Sequence, residues 1–324
     1  MTKTKKNRSS TPYDDIFRTL VSGPPQPLLG LLNEMFETKY TGDEQVKHLK
    51  GQFFITKEEG KRKRITDSHF SVSDGSGTQY YHLECQTHND GSILIRMFEY
   101  DSLIALSHSE KAGDTLHLHL PKSGILYLSD AAPYDPLYIE ITATHGTACQ
   151  EIKVLSMKDY SIESIFDKEL YFLIPFYVFV YHLTIQAIQE DQDKTRQFYE
   201  DLHTVLRNLK DAYLSGRISG SVYSMLSNLL AEMFESYLTN YSKMKSEVKK
   251  IMGGNIIEIE SLKPYFEGKE EGIKEGIKEG IKEGIKEGKL LGKEELIDSL
   301  LSQNVINEKQ AKELKLHISS ESKK

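Results

Sequence analysis

Apolar residues first recur at helical spacing at Leu28, Leu31, Leu32, Met35 and Phe36, which predicts a helix over 27–40 with one apolar face. Ahead of it, Tyr13-Asp14-Asp15-Ile16-Phe17-Arg18 reads as a short helical or extended lead-in, ended by Gly23-Pro24-Pro25. The period then shortens towards two. Strand-like segments are expected at 49–56, 64–73 and 78–87. A turn rich in Lys, Glu and Gly separates the first two, and Asp74-Gly75-Ser76-Gly77 signals a hairpin between the second and third. Along the third, Tyr81, Leu83 and Cys85 point one way, and Tyr80, His82, Glu84 and Gln86 the other.

A helix over 93–109 follows, with Ile95, Phe98, Leu103 and Leu106 among its apolar positions. Strands are expected at 115–120, 124–128 and 137–144, then helical periodicity around 170–182, 198–214 and 222–237, broken by Gly216 and Gly220. Helices between blocks of strand type predict an α/β fold, a mixed sheet flanked by helices with a helical C-terminal region. The expected division is a basic tail (1–12), a core (13–155), a helical accessory region (156–266), a repeat (267–292) and a short helical tail (293–324).

Composition narrows the class. The chain has 324 residues, 27% charged and 38% hydrophobic, which suits a globular protein of about two domains. The formal net charge of -7 excludes a uniformly basic nucleic-acid coat, so polyanion binding needs local patches. Two Cys, 85 and 149, exclude a disulfide scaffold or a Cys-rich zinc module, and a reducing compartment, the cytoplasm, is expected. The basic start MTKTKKNRSS has no apolar segment after it and is not a secretory signal. Residues 170–188 carry no charge, but Pro175, His182, Gln186 and several Tyr favour a buried core segment over a membrane span.

The chemistry centres on Asp67, in the second expected strand, and on Glu84 and Gln86, in the third. A hairpin makes these strands antiparallel neighbours, so both carboxylates can face one cleft. Two carboxylates with water and a phosphate oxygen form the hard-oxygen set that Mg²⁺ prefers, and the backbone carbonyl of Cys85 adds a further ligand. Gln86, on the same face as Glu84, can contact water or phosphate. Taken alone, an Asp and a Glu on strand faces decide nothing; their order along the chain is what counts. His69 and His82 lie near these acids, as a base or as structural histidines. His117 and His119 share a strand face with no third ligand evident, and read as an exposed face. No Walker A loop and no nucleophile elbow occur.

The order of helix, strand-borne Asp, Glu-x-Gln and helix resembles the PD-(D/E)XK restriction-endonuclease-like core. More narrowly, it resembles the Rpn family of recombination-promoting nucleases and putative transposases. Asp14-Asp15-Ile16-Phe17-Arg18 matches the family opening Asp-x-x-Phe-basic, and Ile65-Thr66-Asp67 sits where the family has its strand Asp. Leu83-Glu84-Cys85-Gln86 matches its Glu-x-Gln, and Arg96 with Tyr100 matches an Arg and Tyr on the next helix. The Glu-Gly-Ile-Lys repeat is also typical of the family. The resemblance implies hydrolysis of DNA phosphodiesters, with Mg²⁺ or another divalent cation held by Asp67 and Glu84, in recombination or mobile-element biology. It carries Asp14 over as a further acid, a role for which Glu34 and Glu37 compete. Gln86 stands where the wider superfamily has Lys, and it can hydrogen-bond but brings no charge. That departure motivates a rival reading, a catalytically silent scaffold that works through protein partners.

Lys61-Arg62-Lys63-Arg64, just before Asp67, suits a phosphate backbone near the site, and equally a solvated hairpin turn. Arg96 suits either a phosphate or an acid of its own domain. Near the C-terminus, Gly recurs every fourth residue from Gly268 to Gly292, with Ile273, Ile277, Ile281 and Ile285 in step. Each Gly costs a helix ~1 kcal/mol relative to Ala, so a rigid lone helix is disfavoured. Two readings stay open, a charged flexible linker or a homo-oligomer built by close backbone approach along the Gly stripe. Asn307 and Gln310 resemble a capping box opening a last helix. If the stripe self-associates, deleting 267–292 lowers the mass measured in solution; an unchanged mass rejects self-association.

Overall fold

The computed structural model describes residues 11–49, 52–57, 60–65, 68–88, 91–129, 135–181 and 184–253, then 293, 297, 301, 307–311 and 314; for 52–57 and 60–65 it describes the backbone alone. The chain divides into two compact units, Met1–Glu258 and Ile259–Lys324. The sheet region and the helical region after it therefore fall in one unit.

Two helices open this unit, α1 (Pro12–Ser22) and α2 (Pro25–Phe36). Asp14 starts α1 by accepting the Thr11 N–H at 3.1 Å. Pro24 and Pro25 enforce the bend, because neither can extend α1. The strands β1 (Gln45–His48), β2 (Gln52–Lys57), β3 (Gly60–Ile65), β4 (Ser68–Asp74) and β5 (Gly77–Gln86) follow. Helix α3 (Ile93–Ser107) then leads to β6 (Glu110–Ala112) and β7 (Thr115–His117). The last strands are β8 (Lys122–Tyr127), β9 (Leu137–Ala143) and β10 (Gly146–Ser156).

Six strands form one mixed sheet in the order β1-β4-β5-β8-β10-β9. The central pairs β5–β8 and β8–β10 are parallel, and the outer pairs are antiparallel. Register decides which side chains share a face. His82, Glu84 and Gln86 pair with Ser123, Ile125 and Tyr127, so these six lie on one face, the face covered by α3. There Ile93 and Met97 pack on Ile125, Tyr127, Ile152 and Val154. On the other face, Phe70 stacks on Tyr81 with ring centroids 5.6 Å apart, and Phe36 of α2 meets Tyr81 at 5.3 Å. Both faces of the central strands are thus covered, as parallel strands require.

The remaining helices are α4 (Ile162–Asp167), α5 (Ile185–Glu190), α6 (Gln192–Leu214), α7 (Gly220–Tyr237) and α8 (Ser242–Gly253). The Asp191 side chain caps α6 by accepting from Asp193 N and Lys194 N, and Ser219 caps α7 through Val222 N. The uncharged segment folds as a largely buried 3₁₀ turn series over Tyr171–Tyr181, with Pro175 inside it, rather than as an α-helix. Among the described residues no helix is long and apolar enough to cross a membrane. In the C-terminal unit, Asn307 N donates to Gln310 Oε1 and Gln310 N to Asn307 Oδ1, a reciprocal cap of the expected form.

Several expectations need correction. The basic run 61–64 lies on β3, paired with β2, not in a turn. The single strand expected over 64–73 corresponds to β3 and β4. Strands β1 and β10 were not anticipated, since each mixes polar and apolar residues without clean alternation. Gly216 breaks the helices with φ +77°, whereas Gly220 opens α7. The apolar positions of α3 do not all face inward. Ile93, Met97, Tyr100, Asp101, Ile104 and Ala105 are buried, while Ile95 is 65% and Leu106 51% exposed.

Gly30 of α2 packs closely against the turn after α4. A Cβ there would sit 2.9 Å from the backbone carbonyl oxygen of Glu169, which cannot swing aside. Gly30→Ala is expected to destabilise the protein by ~1–3 kcal/mol through overpacking, despite the ~1 kcal/mol that Ala gains over Gly in a helix. Denaturant melts of the two proteins check this; a midpoint unchanged or raised by the substitution contradicts it.

Candidate active site

Strand β5 carries three polar residues in a column under α3. His82 is fully buried and Glu84 is 4% exposed. Such groups are held only if their polar atoms are paired. His82 Nδ1 lies 2.7 Å from Asp101 Oδ1, and its Nε2 lies 3.1 Å from Glu84 Oε1. Asp101, itself fully buried on α3, takes two further hydrogen bonds on its other oxygen. Ser123 Oγ of β8 donates at 2.9 Å and Gln150 Nε2 of β10 at 2.7 Å. The Tyr100 ring meets the imidazole edge-on at 5.6 Å. Four elements therefore converge on one chain of contacts, Gln150 and Ser123 to Asp101 to His82 to Glu84.

Acceptors on both ring nitrogens favour the doubly protonated imidazole, which donates to each acid. Burial opposes that charge, but the hydrogen bonds the ring donates to Asp101 and Glu84, and their attraction, outweigh it. The His82 pKa is raised to about 9.

One step along the strand, Gln86 Oε1 accepts from Arg96 Nη2 of α3 at 3.0 Å, and Arg96 Nη1 reaches Ser92 Oγ at 3.4 Å. The guanidinium thus stands at the amide of the Glu-x-Gln. Beyond, Thr87 Oγ1 donates to Tyr13 Oη at 3.4 Å, bringing the start of α1 to the end of β5. The Cys85 side chain is buried on the opposite face from Glu84.

Of the residues singled out in the sequence, Glu84, Gln86 and Arg96 come together. Asp67 lies outside the described residues, one position before Ser68, which pairs with Leu83 of β5. The side chains of Lys61, Arg62, Lys63 and Arg64, the N-terminal tail before Thr11 and the Gly repeat also lie outside them. The Asp14 carboxyl is engaged in the cap of α1. Glu34 accepts from Tyr160 Oη and Lys168 Nζ, and Glu37 ends α2 with φ +53°. His69 pairs in register with His82, and its ring lies 5.6 Å from that of His108. Sequence reasoning missed Asp101, Ser123 and Gln150. For Asp101 a signal existed: an acid set inside the row Met97, Tyr100, Ile104.

Glu84 supplies a hard carboxyl oxygen of the kind Mg²⁺ takes. Among the described residues no group of three His, Cys, Asp or Glu is arranged to hold a metal ion. No family model, no curated protein and no solved structure matches this chain.

The raised His82 pKa has a definite sign. Its contribution to stability is complete below about pH 6.5 and is lost as pH rises through about 9. Groups facing the ring are Glu84 from β5, Asp101 and Tyr100 from α3, and His69 from β4. In metal-free buffer, the melting temperature is expected to fall between pH 7 and pH 9.5, and to fall less in Asp101→Asn. Equal slopes in the two proteins would contradict the assignment.

Proposed function

We propose that the chain has a PD-(D/E)XK-type core and acts as a divalent-cation-dependent DNA endonuclease, in recombination or mobile-element biology. The observation that carries this reading is the pairing of Gln86 with Arg96 beside Glu84, at the C-terminal end of a central strand. The superfamily has a Lys where Gln86 stands. Gln86 has no charge, but its amide oxygen holds a guanidinium, so positive charge is present at the same strand position, delivered from α3.

In this reading Asp67 and Glu84 hold Mg²⁺, with the Cys85 carbonyl as a further oxygen. The ion, when bound, polarises the scissile phosphate and lowers the pKa of a water. The chain's own residues do the rest. His82 and Asp101 fix the Glu84 carboxyl. Gln86 orients a polar oxygen by hydrogen bonding, and Arg96 offsets negative charge gathering on the phosphate. Lys61, Arg62, Lys63 and Arg64 supply sequence-independent attraction to the DNA backbone. Asp14, engaged at the start of α1, is kept as an added acid only by the family resemblance.

One observation favours a second reading. Glu84 is 4% exposed and bonded to His82, so its oxygens are nearly closed to solvent. A scaffold that kept the nuclease-like core for stability and bound protein partners elsewhere would look this way.

Plasmid nicking with Mg²⁺ separates the two. Parent activity is expected to fall by more than ~100-fold in Asp67→Ala and in Glu84→Ala, beyond the 10–100-fold typical of residues behind a metal ligand. Equal traces of nicking in all three proteins would reject the enzyme and leave the scaffold.

A further inference from the structure

The two ends of the six-stranded sheet are built differently. At one end, β1 is four residues long and carries Lys47. A short strand with a Lys is a common guard against pairing with another edge. At the other end, β9 runs over seven residues, Leu137–Ala143, with neither Lys nor Pro among them. Its register with β10 passes through seven pairs without a bulge. Among the described residues β10 is the only strand that pairs with β9. The guards present at β1 are therefore missing at β9.

The outer part of this strand pair also stands clear of the sheet. β10 meets β8 only from Ile152 onward, so Tyr138–Ala143 and Gly146–Glu151 form a two-stranded arm. No residue of the arm is buried. A two-stranded ribbon alone in water is marginally stable. A simpler explanation is an arm that stays solvated. Against it stands the composition of its α3 side. There β9 presents Leu137, Ile139, Ile141 and Ala143 in turn, and the first two pack on the cluster under α3. Ile141 continues the apolar row, with Ala148 of β10 beside it, where a solvated hairpin would carry polar side chains.

We propose that β9 pairs antiparallel with β9 of a second copy of this chain, joining the two six-stranded sheets into one. Charge selects this occupant. A basic segment would find a single acid on the edge, Glu140. The edge itself is self-complementary about a two-fold axis at Ile141. Ile141 then lies against the partner's Ile141, Ile139 against the partner's Ala143, and Glu140 against the partner's Thr142, whose hydroxyl can donate to it. An axis at Glu140 would instead oppose two like charges. With the axis at Ile141, the row from Ala148 through Ile141 continues unbroken into the partner. A strand pair of this length is small beside the roughly 1,200–2,000 Å² of a stable interface, so dimer and monomer exchange with concentration. The proposal does not depend on the nuclease reading.

Sedimentation velocity of the full chain over a range of concentrations tests it, with amide hydrogen exchange of residues 137–144 at the lowest and highest. The parent is expected to pass from the mass of one chain to twice that mass, and exchange over 137–144 to slow as it does. Ile141→Lys sets like charges face to face at the axis, and is expected to stay at the mass of one chain throughout. Thr142→Lys sets a cation against the partner's Glu140, and is expected to keep the doubled mass. A parent at the mass of one chain at every concentration overturns the proposal and leaves the edge to a foreign strand. A doubled mass that Ile141→Lys leaves intact also overturns it, because the contact then lies elsewhere, the Gly stripe included. Equal loss in Thr142→Lys and Ile141→Lys rejects the two-fold register. If Ile141→Lys does not fold, the parent's hydrogen exchange decides: equal rates over 137–144 at both concentrations overturn the pairing.

Discussion

A fully buried imidazole between two acids, Asp101 and Glu84, is the constraint on which the centre of this fold depends. Charges in a protein interior lose much of their hydration, and they persist only when partners stand at bonding distance. Here the partners come from separate elements: Glu84 from the same strand, Asp101 from α3, and the braces of Asp101 from β8 and β10. The strands and the helix are therefore tied by polar contacts with fixed geometry as well as by apolar packing. Apolar packing tolerates small sliding of α3 over the sheet. The hydrogen bonds to Asp101 do not, since they weaken steeply with distance and angle.

The same arrangement explains why the two faces of the sheet differ. Towards α2, the sheet presents Tyr81, Leu83 and Phe70, and contact there is aromatic and aliphatic. Towards α3, a polar cluster of His82, Glu84, Ser123 and Gln150 gathers around Asp101, and Ile125, Tyr127, Ile152 and Val154 pack beside it. The polar column of β5 ends at Gln86, where Arg96 is half-buried and bonded to the amide. Placed at the C-terminal ends of parallel strands, such a column sits where open α/β sheets commonly carry their chemistry. The burial of Glu84 weighs the other way, which is why its accessibility to a cation is the property that separates enzyme from scaffold.

Much of the architecture was legible in the residues. The Asp-Gly-Ser-Gly turn, the helices α2, α6 and α7, and the alternation in β5 all appear near their expected places. The Glu-x-Gln and the Arg on the next helix were legible by their order alone, and Gln86 and Arg96 do meet. What sequence could not give was the inner face of α3. Apolar Ile95 and Leu106 lie exposed, while the charged Asp101, which a count of apolar positions passes over, is buried. Its partners lie 19 and 49 residues away along the chain, beyond the reach of any local pattern. Strand β10 was hidden for a related reason. Its first half is exposed and its second half is buried on a central parallel pairing, so no single period runs through it.

The position of Gln150 carries a consequence for biosynthesis. During translation His82 leaves the ribosome well before the residues that complete its surroundings, since Asp101 follows it by 19 residues and Gln150 follows Asp101 by 49. At roughly 5–20 residues per second, the nascent chain carries the unfinished centre for several seconds. Three of the four links can form once Ser123 has emerged, and until β10 follows, water must take the place at Asp101 that Gln150 later fills. The last brace of the centre is thereby set only after most of the sheet has left the ribosome.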